Sequence, residues 1–201
     1  MEEKHYYNTV ASTGFAEFKD RGSKFLAFVY PIETTDDVKK RIEALKKEHP
    51  KANHHCFAYR LGLDGNNFRA SDDGEPSGSA GKPILGQIDS KECTNTLIVV
   101  VRYFGGTLLG VPGLINAYKT AAAFALQVTP ITQKQVLHHF NIQFDYTQMN
   151  EVMTLIKQME GTVVEKEQSL FCRFKVGIPS QRVQQFAHEI KELHTVEVSK
   201  V

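Results

Sequence analysis

The run Leu97-Ile98-Val99-Val100-Val101 leads directly into Arg102-Tyr103-Phe104-Gly105-Gly106-Thr107-Leu108-Leu109-Gly110-Val111-Pro112-Gly113. An aliphatic, β-branched run with no polar interruption reads as a strand buried on both faces, the mark of a sheet covered by other elements. After Gly113, Leu114 to Val128 is Ala-rich and helical by propensity. The Gly-rich stretch therefore sits between a buried strand and a helix, where free amides and the helix dipole favour anions. Its spacing is not Gly-x-Gly-x-x-Gly, since the glycines fall at 105, 106, 110 and 113. Arg102 can grip a phosphate or carboxylate bidentately, and Tyr103 or Phe104 offers a stacking face. Equally, those aromatics are core residues, and Gly105-Gly106 with Gly110 simply turn the chain.

Upstream, Phe15 to Phe18 and Phe25 to Tyr30 flank Arg21-Gly22-Ser23 and predict a hairpin. Thr34 or Thr35 caps a helix over 35–48 with acidic Asp36 and Asp37 in its first turn and Val38, Ile42 and Leu45 on one face. Cys56 to Leu61 and Asn67 to Ala70 read as strands, and Pro83 opens a short helix. Beyond Thr129-Pro130 the pattern changes. Strand-like Val136 to Tyr146 precedes a helix over 148–159; strands over 162–165 and 170–178, a helix to Leu193 and a strand from Thr195 follow. That β-α-β-β-α-β order is ferredoxin-like. Two α+β domains are expected, residues 1–130 and 131–201.

Composition narrows the class. Hydrophobic residues make up 41% and charged residues 23% of the 201, as in ordinary globular proteins. No aliphatic run approaches the ~18 residues of a membrane helix, and the N-terminus has no apolar signal region, so a cytoplasmic protein with no membrane role is expected. Cys56, Cys93 and Cys172 are odd in number and widely spaced, which argues against a disulfide framework. Net charge is +1, so no global basic surface is available to displace counterions from nucleic acid. Glycine is the uneven residue: 10 of 14 lie between Gly62 and Gly113, which points to that stretch as the site.

Within it, Ser71-Asp72-Asp73-Gly74-Glu75-Pro76-Ser77-Gly78-Ser79-Ala80-Gly81-Lys82-Pro83 is the densest candidate. Asp72, Asp73 and Glu75 can supply oxygen ligands to a divalent cation such as Mg²⁺. Gly78 and Gly81 allow a ligand close to backbone amides, with Lys82 to neutralise a phosphate. A P-loop is excluded, because Pro76 and Pro83 stand where Gly and Ser/Thr are required. The same residues also make an ordinary surface loop with turn and capping chemistry. In Asn53-His54-His55-Cys56-Phe57-Ala58-Tyr59-Arg60, neighbours on a strand face opposite ways. One of His54 and His55 then faces the Gly-rich loops while the other is structural, and Cys56 reads as buried and inert.

Phe18-x-x-Arg21-Gly22-Ser23-Lys24-Phe25, His54-His55-Cys56-x-Ala58-Tyr59-Arg60, Ser71-Asp72-Asp73-Gly74-Glu75-Pro76-Ser77-Gly78, Ala80-Gly81-Lys82-Pro83-Ile84-Leu85 and Arg102-Tyr103-Phe104-Gly105-Gly106 occur in that order. Together they resemble the YigZ/Impact family over about residues 15–126, and the C-terminal region resembles the smaller domain of its bacterial members. One departure is Val111-Pro112-Gly113, where the pattern has Thr or Ser with Gly. The resemblance implies an N-terminal domain like the second domain of ribosomal protein S5, followed by a ferredoxin-like domain. It also implies a role in regulating translation.

The leading expectation is accordingly a non-enzymatic, translation-associated protein contacting RNA, the ribosome or a translation factor, with no cofactor. Arg102, Lys82 and Arg60 would be its phosphate or carboxylate contacts. A nucleotide or small-molecule enzyme is the alternative, with metal at Asp72, Asp73 and Glu75 and His54 or His55 as acid or base. Kinases sharing the S5-like fold make that class relevant. A protein-only interaction module is the third.

Overall fold

The computed structural model describes residues 4–169, 171–193 and 195–201. Contacts divide the chain into two compact units, Tyr7–Lys134 and Gln135–Val201, the latter joined by the described residues Lys4–Tyr6. The first unit is built on a five-stranded sheet. Its strands are β2 (Gly14–Asp20), β3 (Ser23–Pro31), β4 (His54–Leu61), β5 (Asn67–Ser71) and β6 (Thr96–Tyr103), in the order β2-β3-β6-β4-β5. All four pairings are antiparallel. β6 is central, and seven of its residues, Thr96 to Arg102, are buried.

Alternation along β6 sends its side chains into two cores. Ile98 and Val100 join Phe25, Ala27, Cys56 and Ala58 beneath two helices, α2 (Gly81–Ser90) and α3 (Gly110–Val128). Leu97, Val99 and Val101 pack on the other face beneath α1 (Thr35–Glu48). Helix α1 begins with a capping box, in which Thr34 accepts from the Asp37 amide and Asp37 accepts from the Thr34 amide. Because Arg102 shares the parity of Ile98 and Val100, it points to the α3 side.

One expectation needs correction, and one small sheet is not foreseen from the sequence. Helix α3 starts at Gly110, inside the stretch read as a loop to Gly113. Pro112 is tolerated there because amides of the first helical turn have no intrahelical partner to lose. Strands β1 (Tyr6–Val10) and β7 (Ile131–Gln135) pair in a two-stranded sheet. Both are short and lack clean alternation, so the sequence pattern does not reveal them.

In the second unit, β8 (Leu137–Asp145), α4 (Met149–Gln158), β9 (Thr162–Glu167), β10 (Phe171–Pro179), α5 (Val183–Glu192) and β11 (Glu197–Lys200) follow in the ferredoxin-like order. Its sheet runs β11-β8-β10-β9. Phe140, Ile142, Phe144, Phe174 and Val176 bury one face against Val152, Ile156, Phe186 and Ile190 of the helices. Leu170, the expected start of one strand, lies outside the described residues. Among the described residues no helix is long and apolar enough to cross a membrane. The fold class is therefore α+β, with an S5-like unit followed by a ferredoxin-like one.

The β2–β3 turn reaches the Gly-rich loop. Asp20 pairs with Ser23, leaving Arg21 (φ 43°) and Gly22 (φ 81°) as a two-residue turn of the primed type. Gly22 lies against Gly105 so closely that a Cβ on Gly105 would sit 1.8 Å from the Gly22 carbonyl carbon. By contrast, a Cβ on Gly106 (φ +87°) would meet nothing within 4 Å. Gly105→Ala is therefore expected to lower stability by at least about 2 kcal/mol through overpacking. Gly106→Ala should cost only the left-handed backbone penalty of roughly 1 kcal/mol. Equal losses in denaturant titrations of the two variants would contradict this contact.

Candidate functional site

Loops 71–83 and 102–113 meet in one cleft. It has a volume of about 410 Å³ and is lined by Asn53, His54, Glu75, Pro76, Arg102, Phe104 and residues 108–111 and 114. Its floor is a buried polar network. Arg102 Nη1 donates to Glu75 Oε1 at 2.6 Å, with both side chains under a tenth exposed. The Tyr118 hydroxyl donates to the same oxygen at 2.7 Å. Arg102 Nη2 reaches the Ser23 hydroxyl at 3.4 Å, and that hydroxyl accepts the Gly105 amide at 3.2 Å. The Arg102 guanidinium also lies over the Phe25 and Phe104 rings. A buried ion pair is costly unless its other groups are bonded; here Ser23 and Tyr118 bond to it, while the buried Arg102 Nε has no hydrogen-bond partner among the described residues.

Cys56 closes the network from below, 3.0 Å from the Asp72 carbonyl oxygen and 3.3 Å from the Tyr118 hydroxyl. Burial pushes its thiol far up from the ordinary cysteine range, and burial likewise pushes Tyr118 up. Neither ionises near neutral pH, so neither serves as a nucleophile there. His54 is the histidine on the cleft side: its Nδ1 faces the Asp73 carbonyl oxygen at 2.8 Å and its Nε2 lies 3.8 Å from Glu75 Oε1. His55 points the other way, where burial lowers its pKa, Asp73 opposes that, and Lys46 and His49 add to it.

The amides of the Gly-rich loop already hold an anion. Asp72 accepts from Gly78 at 2.9 Å, Ala80 at 3.0 Å and Gly81 at 2.8 Å. Burial raises its carboxyl, but these three amides outweigh that and hold it below the usual range. Gly81 is required for this packing, because a Cβ would stand 2.5 Å from the Ser71 nitrogen. The nest that the sequence offers to a phosphate is thus filled by the chain's own side chain.

The carboxylates expected to share a metal diverge. Asp72 faces α2, Asp73 Oδ2 accepts the His55 amide at 2.6 Å, and Glu75 faces Arg102. Among the described residues no three His, Cys, Asp or Glu groups converge as a metal site. The three carboxylates serve three separate sets of partners, so these residues do not fit a bound Mg²⁺.

The other expected contacts scatter. Arg60 pairs with Thr96 at the end of the sheet away from Arg102, where it bonds Asp89 and the Gly65 carbonyl. Lys82 is exposed beside Gly78 and does not line the cleft. Tyr103 turns to the α1 face and bonds His49 at 2.9 Å, whereas Phe104 is the aromatic in the cleft. Gly110 (φ 70°) opens α3 at the cleft edge. Sequence reasoning missed Asn53, Ser23, Leu108 and Tyr118. Tyr118 had a signal, being a lone hydroxyl on the buried face of an Ala-rich helix.

A larger groove of about 690 Å³ lies on the open face of the ferredoxin-like sheet, among Gln143, Glu165, Glu167, Arg173 and Lys175. Of its cations, Arg173 bonds Gln143 and Lys175 bonds Glu165, while Lys166 also lines it. Its aromatic, Phe174, is buried. On the same strand, Phe171 shares the parity of Arg173 and Lys175 and is 59% exposed.

Comparison with known proteins places this geometry in context. The family described as the Impact N-terminal domain matches residues 21–126. The IMPACT family member YigZ of Escherichia coli is 33% identical over 172 residues, 85% of this chain and 84% of its own. The IMPACT family member YvyE of Bacillus subtilis is 30% identical over 189 residues, 94% of this chain and 87% of its own. Protein IMPACT of Rattus norvegicus is 36% identical over 100 residues, 47% of this chain and 31% of its own. A crystal structure of a hypothetical protein superposes with a TM-score of 0.78 at 28% identity, covering 99% of this chain and 98% of that one.

Two outcomes follow from the site. Glu75→Leu and Arg102→Met each leave a buried charge unpaired and should cost about 3–5 kcal/mol in chemical denaturation. The double variant should cost clearly less than the sum, and strict additivity would deny the coupling. The second concerns pH. His55 has a folded-state pKa below its unfolded value of ~6.5, so the unfolded chain takes up the proton first. Stability should fall as pH drops below that value and level off once the folded imidazole titrates. His55→Gln should shallow that slope by up to about 1.4 kcal/mol per pH unit, and an unchanged slope would exclude His55 as its source.

Proposed function

The chain belongs to the Impact family, and from that premise we propose that it is a translation-associated regulatory protein that docks a protein component rather than turning over a substrate. One observation carries this reading: the cleft is apolar above a charge-neutral floor. Phe104, Leu108 and Val111 stand 45%, 82% and 45% exposed at its rim, with Ile115 beside them on α3. Exposed apolar side chains gathered around a concavity mark interaction sites. Arg102, the cation expected to meet phosphate, is engaged by Glu75, and the loop amides are engaged by Asp72. RNA-backbone contact is correspondingly less favoured among the expected partners than a translation factor or ribosomal protein.

A small-molecule enzyme is the second reading. It is favoured by His54 standing on the cleft side with its Nε2 beside the buried Glu75, a ring nitrogen placed to take a proton from a bound group.

Sedimentation with ribosomes and gel filtration with purified translation factors test the proposal. The chain should associate with one of them, with an affinity that changes less than about tenfold between ~50 and ~200 mM salt. Several phosphate contacts would instead lose roughly 10³-fold or more over that range. Leu108→Asp, at an exposed position on the rim, should weaken the association by at least about tenfold. A steep salt slope would replace protein docking with RNA contact, and no association with any component would remove the link to translation.

A further inference from the structure

The polar atoms of the cleft specify what an occupant must bring. His54 Nδ1 faces the Asp73 carbonyl oxygen at 2.8 Å. A carbonyl only accepts, so Nδ1 carries the hydrogen, and Nε2 of the neutral ring is left as an acceptor. Asn53 Oδ1 receives the Phe104 amide at 2.8 Å, which makes the other branch of that side chain its NH₂ donor. The cleft thus offers one ring acceptor and one amide donor among apolar walls.

Charge narrows the occupant further. Glu75 and Arg102 neutralise each other in the floor, so a charged anchor would lose its hydration without gaining a counter-charge. A leucine or phenylalanine would fill the walls and leave His54 Nε2 covered and unbonded. A nucleobase would satisfy both polar groups, but the apolar surface continues past the cleft through Leu108, Val111 and Ile115, which suits a polypeptide and not a sugar-phosphate chain.

We infer that the cleft takes a tryptophan side chain of the protein partner. The indole N–H donates to His54 Nε2, and a backbone carbonyl of the partner accepts from the Asn53 amide. The inference rests on the docking reading of the same cleft and names its anchor. An indole fits within the cleft and matches its single-donor chemistry, and tryptophan is among the residues that carry interface energy.

The chain itself contains no Trp, so indole emission reports on an added probe alone. N-acetyl-tryptophanamide, which is neutral and carries peptide carbonyls, is titrated with the full-length protein. Its emission should shift to the blue and saturate. It should bind roughly threefold to tenfold more tightly than N-acetyl-phenylalaninamide measured by competition, the value of one hydrogen bond. His54→Leu should erase that preference, and Leu108→Asp, at an exposed position that folding does not depend on, should weaken both amides. Equal affinity for the two amides, or adenosine binding more tightly than either, overturns the assignment. If no amide binds while Leu108→Asp still abolishes partner association, the tryptophan anchor is wrong and docking stands. If Leu108→Asp leaves that association intact, docking falls and the anchor with it.

Discussion

A carboxylate and a guanidinium buried together at the end of the central strand set the terms for everything around them. Arg102 is drawn inside because β6 alternates between two cores and position 102 falls on the α3 side. An unpaired guanidinium there would be untenable, so a carboxylate has to be delivered. Glu75 arrives on a loop that turns back on itself, fastened by Asp72 to the start of α2. Tyr118 of α3 then bonds the oxygen that Arg102 uses. Desolvation offsets much of the attraction in such a pair. What the pair does here is tie a strand, a loop and a helix into one arrangement, and the cleft is the space left above it.

The parts legible in the sequence are those governed by local chemistry. The Leu97–Val101 run announces a central strand because no polar residue interrupts it. Thr34 with Asp36 and Asp37 announces α1 because capping is a short-range bond. The β-α-β-β-α-β half is readable because each helix has a clean apolar stripe. Residue types also point to the stretch whose loops line the candidate cleft. Their partners are another matter. Asp72, Asp73 and Glu75 are adjacent in sequence and look like one ligand set, yet each bonds a different element. Arg60 and Arg102 look alike as free cations, but eight-residue strands put them at opposite ends of the sheet. Such outcomes depend on register between distant strands, which no local pattern encodes.

The internal use of Asp72 bears on how loops of this composition are understood. Glycines that expose amides and a helix start that favours negative charge are the usual ingredients of phosphate binding. In this chain the same ingredients stabilise the loop itself, with a carboxylate in the place a phosphate would take. The neighbouring cleft can then be largely apolar and neutral, because the charges of its floor are paired from inside. Chemistry that looks like a ligand site is in part the scaffold for a different one.

Contact between the Gly22 and Gly105 backbones joins the rim of the cleft to the tip of a hairpin. Main chains that touch with no side chain between them leave no slack, so neither segment swings outward without parting from the other. Fraying of the β2–β3 turn and opening of the rim belong to a single cooperative fluctuation. An occupant that steadies the rim slows amide exchange in a turn it never touches. Damage to that turn loosens the occupant from a distance.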